Sequence, residues 1–274
     1  MASTGMNVLE HATRFGTLKQ VQKSLCTTER LSVLVGGTSV RGFLHLPAGY
    51  PENKDRVAAA VILLSGAGGG VVGPSSIYVS IGDKLASLRR GMPVLRLDYR
   101  YPAHDTPCAE DVTAAMNHLE QKYSIRKFVL VGWSFGGAPV FTVGGQEKDR
   151  VVACATIASQ TAGTSGITKL APRPLLLLHG TGDRTLRWHC SQSLYESYGR
   201  KGDRQLKLFE NDDHALTRNA LEAEELLCDF IANCLGLEIA NDEQERVIQK
   251  PLVDGGERVE LMKKGGDLEG ESIE

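Results

Sequence analysis

The chain predicts an α/β fold: a mostly parallel sheet opened by an antiparallel hairpin, with helices on both faces and no cap domain. Three observations carry this expectation. Apolar runs of strand length alternate with glycine loops and helical spacings, which is how a parallel sheet is wound. The runs are too apolar to be half exposed, as befits strands covered on both faces. Near the start, two β-rich stretches flank Gly36-Gly37-Thr38-Ser39, a hairpin signal.

In chain order, Arg30 to Val35 and Val40 to Leu46 form that hairpin. Val57 to Leu64 is a buried strand running into Ser65-Gly66-Ala67-Gly68-Gly69-Gly70, and Ser76 to Arg90 has helical spacing at Ile77, Ile81, Leu85 and Leu88. Pro93 to Leu97 reads as a strand closing on Asp98, and Ala109 to Tyr123 as a helix with Val112, Ala115, Met116 and Leu119 on one face. Phe128 to Val131, Val151 to Ile157, Pro174 to Leu178 and Gln205 to Phe209 are further strands, with helices over His189 to Tyr198 and Ala215 to Leu235. These elements assign residues 30–237 to one domain, preceded by an N-terminal extension over residues 1–29. Residues 238–274 form an acidic, glycine-containing tail with little apolar periodicity, expected to be flexible, and its Asp254-Gly255-Gly256 reads as a turn.

The 274 residues are 42% hydrophobic, enough for a full core, and the formal net charge is −2. No Lys/Arg-rich block offers an electrostatic footprint for nucleic acid. No window approaches the roughly 18 apolar residues of a membrane span, and Met1 to Gln20 lacks the apolar stretch of a signal peptide. Cys26, Cys108, Cys154, Cys190, Cys228 and Cys234 are scattered, with neither pairing nor metal-ligand spacing. The expectation is a cytoplasmic protein, without membrane insertion or metal, whose partner is a small molecule.

Directly after the strand at Phe128 to Val131 stands Gly132-Trp133-Ser134-Phe135-Gly136. A strand that ends in Gly-x-Ser-x-Gly and turns into a helix lifts a serine hydroxyl clear of the backbone on a strained turn, and the flanking glycines avoid a Cβ collision. A serine hydroxyl is a weak nucleophile at neutral pH, so it needs a histidine to take its proton and a carboxylate to orient that histidine. The strand at Leu175 to Leu178 leads into His179-Gly180-Thr181-Gly182-Asp183, and the strand at Gln205 to Phe209 into Asn211-Asp212-Asp213-His214. In a parallel sheet such loops gather at one edge, so Ser134, Asp183 and His214 converge there. His179 braces its own loop, and Asp213 is the next candidate acid.

With serine, acid and histidine in this order, residues 30–237 resemble the α/β-hydrolase superfamily. The antiparallel start and the short connection over residues 158–173 are similar to its lidless branch of dienelactone-hydrolase-like proteins and small carboxylesterases, though dienelactone hydrolases proper use cysteine where this chain has Ser134. The resemblance implies cleavage of a small-molecule carboxylic ester or thioester through an acyl-enzyme, with no cofactor, and the short connection, too small for a cap, predicts a site mouth open to water. It also implies an oxyanion hole built from the Phe135 N–H and one in the loop after the third strand, where Ala67 matches best and Gly68 is next. Trp133, Tyr78, Tyr101 and Trp188 are candidate substrate contacts, as are His104 and His189. A non-catalytic ligand-binding protein of this fold, acyl transfer, and carbon-carbon bond cleavage on the same three residues are the alternatives. Acyl group, alcohol part and oligomeric state are not set by these residues.

Overall fold

The computed structural model describes residues 26–273. The expected N-terminal extension lies outside the described residues as far as residue 25, and Cys26 onward already belongs to the sheet. The strands are β1 (Cys26–Val35), β2 (Thr38–Pro47), β3 (Ala59–Leu64), β4 (Val94–Asp98), β5 (Lys127–Trp133), β6 (Val151–Ile157), β7 (Leu175–Gly180) and β8 (Arg204–Phe209). They pair in the order β1-β2-β4-β3-β5-β6-β7-β8. The first two pairings in that order are antiparallel and the others parallel, so the hairpin forms one edge and the strands from β3 onward point the same way.

Every residue of β3 is buried, because helices cover both faces of the sheet. Val61 and Leu63 pack with α1 (Ile77–Ala86) and α5 (Ala220–Cys234), through Ile77, Ile81, Leu227 and Ile231. The alternate residues Ala60, Ile62 and Leu64 face α2 (Asp105–Tyr123), α3 (Gly137–Gln146) and α4 (His189–Tyr198), through Met116, Phe141 and Leu194. A period of two along each strand thus feeds two cores. The parallel register sets Leu64 beside Gly132, Trp133 beside Ile157 and Gly180 beside Phe209, which brings the loops that leave these strands to a common edge. The 158–173 connection holds only the short 3-10 turn Ser165–Lys169, so no cap is inserted there.

Two helices begin away from the expected points. The helix α2 starts at Asp105, a turn earlier, because Pro107 sits in its first turn, where no intrahelical donor is needed. The helix α5 starts at Ala220, later than Ala215, because Asp212 and Asp213 take the N–H groups of residues 215 and 217–219.

The segment after Leu237, expected to be flexible, lies on the domain. It makes the short turns Asn241–Glu243 and Gln244–Ile248, and then α6 (Gly255–Gly265), with Asp254 at its N-cap where a turn was expected. Ile248, Val253, Leu261 and Met262 are buried in the core on the α1 and α5 face. Buried charge fixes the docking: Glu224 of α5 accepts from Lys84 Nζ at 2.6 Å, Ser80 Oγ at 2.7 Å and Arg258 Nη1 of α6 at 2.8 Å. Arg258 also donates to the Ser75 carbonyl at 2.7 Å, and Ser76 Oγ to the Arg258 carbonyl at 2.8 Å. Glu224→Ala leaves two buried cations without their carboxylate, a loss of about 3 to 5 kcal/mol. A lowered denaturant midpoint in that variant checks this, and an unchanged midpoint contradicts it.

Candidate active site

The turn after β5 carries Ser134 with φ 53, in the left-handed region that costs a non-glycine residue about 1 to 3 kcal/mol. What holds it there is close packing of strand against helix: a Cβ on Gly132 would run into the Gly136 carbonyl, and one on Gly136 into the carbonyls of Leu64 and Ser65. Glycine at both flanks is therefore a steric requirement. Trp133, directly before the serine, donates from Nε1 to the His214 carbonyl at 2.9 Å, with ring centroids 5.4 Å apart. The β5 turn and the loop after β8 are thereby tied together.

Asp183 and His214 meet as expected, with His214 Nδ1 2.6 Å from Asp183 Oδ2 and both side chains buried. Asp183 Oδ1 accepts from the N–H groups of Thr185 and Leu186, each at 2.8 Å, which fixes the carboxylate plane. His179 Nε2 faces two acceptors, Asp183 Oδ2 at 3.1 Å and the Leu186 carbonyl at 2.9 Å, so this nitrogen carries the proton. His179 does brace its loop, and Ser191 Oγ lies 2.7 Å from its Nδ1. Burial pushes the Asp183 carboxyl up, but the hydrogen bonds from His179 and His214 outweigh it and hold the group well below the usual carboxylate range. Asp213 bonds the N–H groups of Ala215 and Thr217 and the Thr217 hydroxyl instead, caps its own loop and stays out of the pair.

His214 Nε2, the nitrogen that would face a nucleophile, lies 3.4 Å from Glu271 Oε2. That is ion-pair reach without hydrogen-bond alignment, and this buried nitrogen has no hydrogen-bond partner among the described residues. Burial alone would lower the His214 pKa, yet the hydrogen bond to Asp183, together with Glu271, lifts it to about 9. The other oxygen of that carboxylate, Glu271 Oε1, accepts from the Ala67 N–H at 2.6 Å. No feature of the sequence pointed to Glu271 or to Asp267, which takes the Gly73 N–H at 2.7 Å and the Val72 N–H at 3.0 Å and also bonds the Ser65 hydroxyl. The site mouth, expected to be open, is covered: Ser134 is 4% exposed and His214 fully buried.

The remaining candidates divide. Phe135 is buried edge-to-face on Tyr99, and Gly68 lies against the backbone of Glu269. Trp133 is a core residue, and Tyr78 is buried with its hydroxyl on the Leu64 carbonyl at 2.9 Å. Tyr78 thus fixes the exit of β3. Tyr101 is 49% exposed, and Trp188, half-buried, stacks on the exposed His189. His104 bonds its own loop through the Pro102 carbonyl at 2.8 Å.

Away from this edge, ligand atoms of Cys26, His45 and Asp83 lie within 4.8 Å of one another. Their protons are already placed: Cys26 Sγ and His45 Nδ1 both point at Asp83 Oδ1, at 3.3 Å and 3.0 Å, and Arg96 Nε donates to His45 Nε2 at 2.9 Å. A cation there would have to displace these protons beside a buried guanidinium. The cluster ties β1, β2, β4 and α1 together as a hydrogen-bonded network.

The strand order, the turn and the edge define a class of protein. Residues 59–194 match the family model described as alpha/beta hydrolase fold. The dienelactone hydrolase from Anabaena variabilis superposes with a TM-score of 0.64 at 18% identity, covering 76% of this chain and 98% of its own. Est1E from Butyrivibrio proteoclasticus gives 0.62 at 15%, covering 76% and 99%. XC6422 from Xanthomonas campestris, described as an a/b serine hydrolase without lid, gives 0.59 at 13%, covering 75% and 94%. Among curated proteins, the uncharacterized protein YfhR of Escherichia coli K12 is 29% identical over 179 residues, 53% of this chain, and its counterpart in strain O157:H7 is 32% identical over 136 residues, 39% of this chain. The matched segments span 62% and 48% of those relatives. The chain has the α/β-hydrolase fold, in a form without an inserted cap. No helix among the described residues is long and apolar enough to cross a membrane.

Proposed function

We propose that the chain is a serine hydrolase that cleaves a small-molecule carboxylic ester or thioester. The observation that carries the reading is the buried Asp183–His214 hydrogen bond of 2.6 Å, set beside a strained serine turn at the edge where the strands end. Ser134 Oγ attacks the carbonyl carbon while His214 Nε2 takes its proton, and Asp183 holds the proton on Nδ1 so that Nε2 is the free base. The N–H groups of Phe135 and Ala67, with Gly68 beside them, receive the negative charge that develops on the carbonyl oxygen. His214 returns the proton to the leaving alcohol or thiol, and water then repeats the sequence on the acyl-enzyme and releases an acid. These side chains complete acyl transfer without a metal or organic cofactor. The fold shared with an esterase and a dienelactone hydrolase supports an ester as the substrate.

Release of p-nitrophenolate from short-chain esters tests this, with a pre-steady-state burst expected where deacylation is slow. Absence of turnover from the full chain and from its Glu271→Ala variant overturns the proposal. Asp183→Asn keeps the shape but loses the charge that fixes the imidazole, so its loss of kcat should be about tenfold to a hundredfold smaller than that of a His214 deletion. An undiminished kcat in that variant places the acid elsewhere.

A further inference from the structure

Residues 267–273 run across the candidate active site and touch both of its sides. Asp267 is anchored under the loop after β3 by Ser65, Val72 and Gly73, and Glu271 spans the Ala67 N–H and His214 Nε2. Beyond it, the Ser272 carbonyl accepts from Thr185 Oγ1 of the Asp183 loop at 2.6 Å, and Ile273 lines a cleft with Gly182, Arg184 and Arg218. We infer that this segment is an internal active-site ligand: the Glu271 carboxylate occupies the place of a product acid, between the oxyanion donor and the histidine, and keeps the enzyme closed to substrate until the segment is displaced. The inference rests on the hydrolase reading above.

Ester hydrolysis ends with a carboxylate between the oxyanion donors and the histidine, so the groups that serve the reaction also bind its acid product. Glu271 presents that carboxylate from the chain itself. The fit is built into the receiving loop: a Cβ on Gly66 would overlap the Glu271 carboxylate, one on Gly68 the Glu269 backbone, and one on Gly70 the Asp267 side chain. A loop whose glycines served the oxyanion alone would not need this clearance toward residues 267–271.

The contact disables two steps at once. The Ala67 N–H is taken, and His214, flanked by Asp183 from the β7 loop, Glu271 from the tail and the uncharged Trp133 ring from β5, has its pKa raised to about 9 and is held protonated at neutral pH. A protonated imidazole cannot accept the Ser134 proton. The sign of the pH dependence follows. The His214 pKa is raised, so the stabilisation it gives the closed form is complete below the ordinary value of 6.5 and is lost as pH rises through about 9. Alkaline pH opens the site.

The test compares the full chain with Glu271→Ala, Glu271→Gln and Thr185→Val, using a short-chain p-nitrophenyl ester. A site closed nine-tenths of the time hides kcat/KM by about tenfold, so Glu271→Ala should raise kcat/KM by about that factor or more. Glu271→Gln, which keeps an acceptor for Ala67 but no charge for His214, should give a smaller rise, and Thr185→Val, which frees Ser272, should also raise it. The midpoint of the pH–rate profile should fall from about 9 toward the ordinary histidine range in Glu271→Ala, as should the His214 titration followed by NMR. Equal kcat/KM and equal His214 titration in the full chain and Glu271→Ala, with Ser134 still essential, overturn the latch and leave the hydrolase standing. No turnover from any chain overturns the hydrolase, and the latch with it.

Discussion

Ser134→Ala should lower ester turnover by about 10³-fold or more, in the full chain and in the Glu271→Ala background alike, while the fold persists. The size follows from the chemistry removed. On the proposed mechanism no acyl-enzyme forms without the hydroxyl, and only binding and oxyanion stabilisation are left to act on water. The fold persists because the strained φ at this position is imposed by the packing around Gly132 and Gly136, which alanine leaves untouched. The check is the kcat of the purified variant together with an unchanged melting temperature. Retention of most of the activity removes Ser134 from the nucleophile's place.

His214→Ala should be about as damaging as Ser134→Ala, and the double variant scarcely worse than either. In the proposed mechanism the serine and the histidine act as one unit, so once either is lost the other contributes nothing further. In that mechanism the histidine is also the residue through which Asp183 acts, by way of their 2.6 Å hydrogen bond. Losses that multiply in the double variant would show that the two residues act independently, and the proposed proton transfer would fail.

Much of the sheet was legible because buried parallel strands are continuous apolar runs: β6 was read from Val151 to Ile157 with both ends correct. The elbow was legible because a short strand and a helix cannot meet around a raised serine without glycine on both sides. Helix starts were less so. Side-chain capture of N–H groups by Asp212 and Asp213 delays α5, and apolar spacing carries no record of that. Two of the aromatic candidates were misplaced for a different reason: composition does not say which way a ring faces, and Trp133 and Tyr78 turn into the core.

The tail shows the limit most plainly. Its apolar residues are few, but Ile248, Val253, Leu261 and Met262 are all placed inward, and Arg258 supplies a buried charge that only Glu224, far away in sequence, makes affordable. Burial at a few well-placed positions offsets the ordering entropy that a count of apolar residues suggests would prevail. Glu271 was out of reach because its role depends on lying opposite both Ala67, 204 residues away in sequence, and His214 on another loop.

The most direct measurement of the central claim, that Ser134 is an activated nucleophile, is covalent labelling of the full chain and of Glu271→Ala with a fluorophosphonate, followed by intact-mass and peptide mapping. The expected result is a single adduct per chain, on Ser134, that forms faster in Glu271→Ala and is lost in Ser134→Ala. No adduct in either chain, or an adduct on a different residue, would contradict the account.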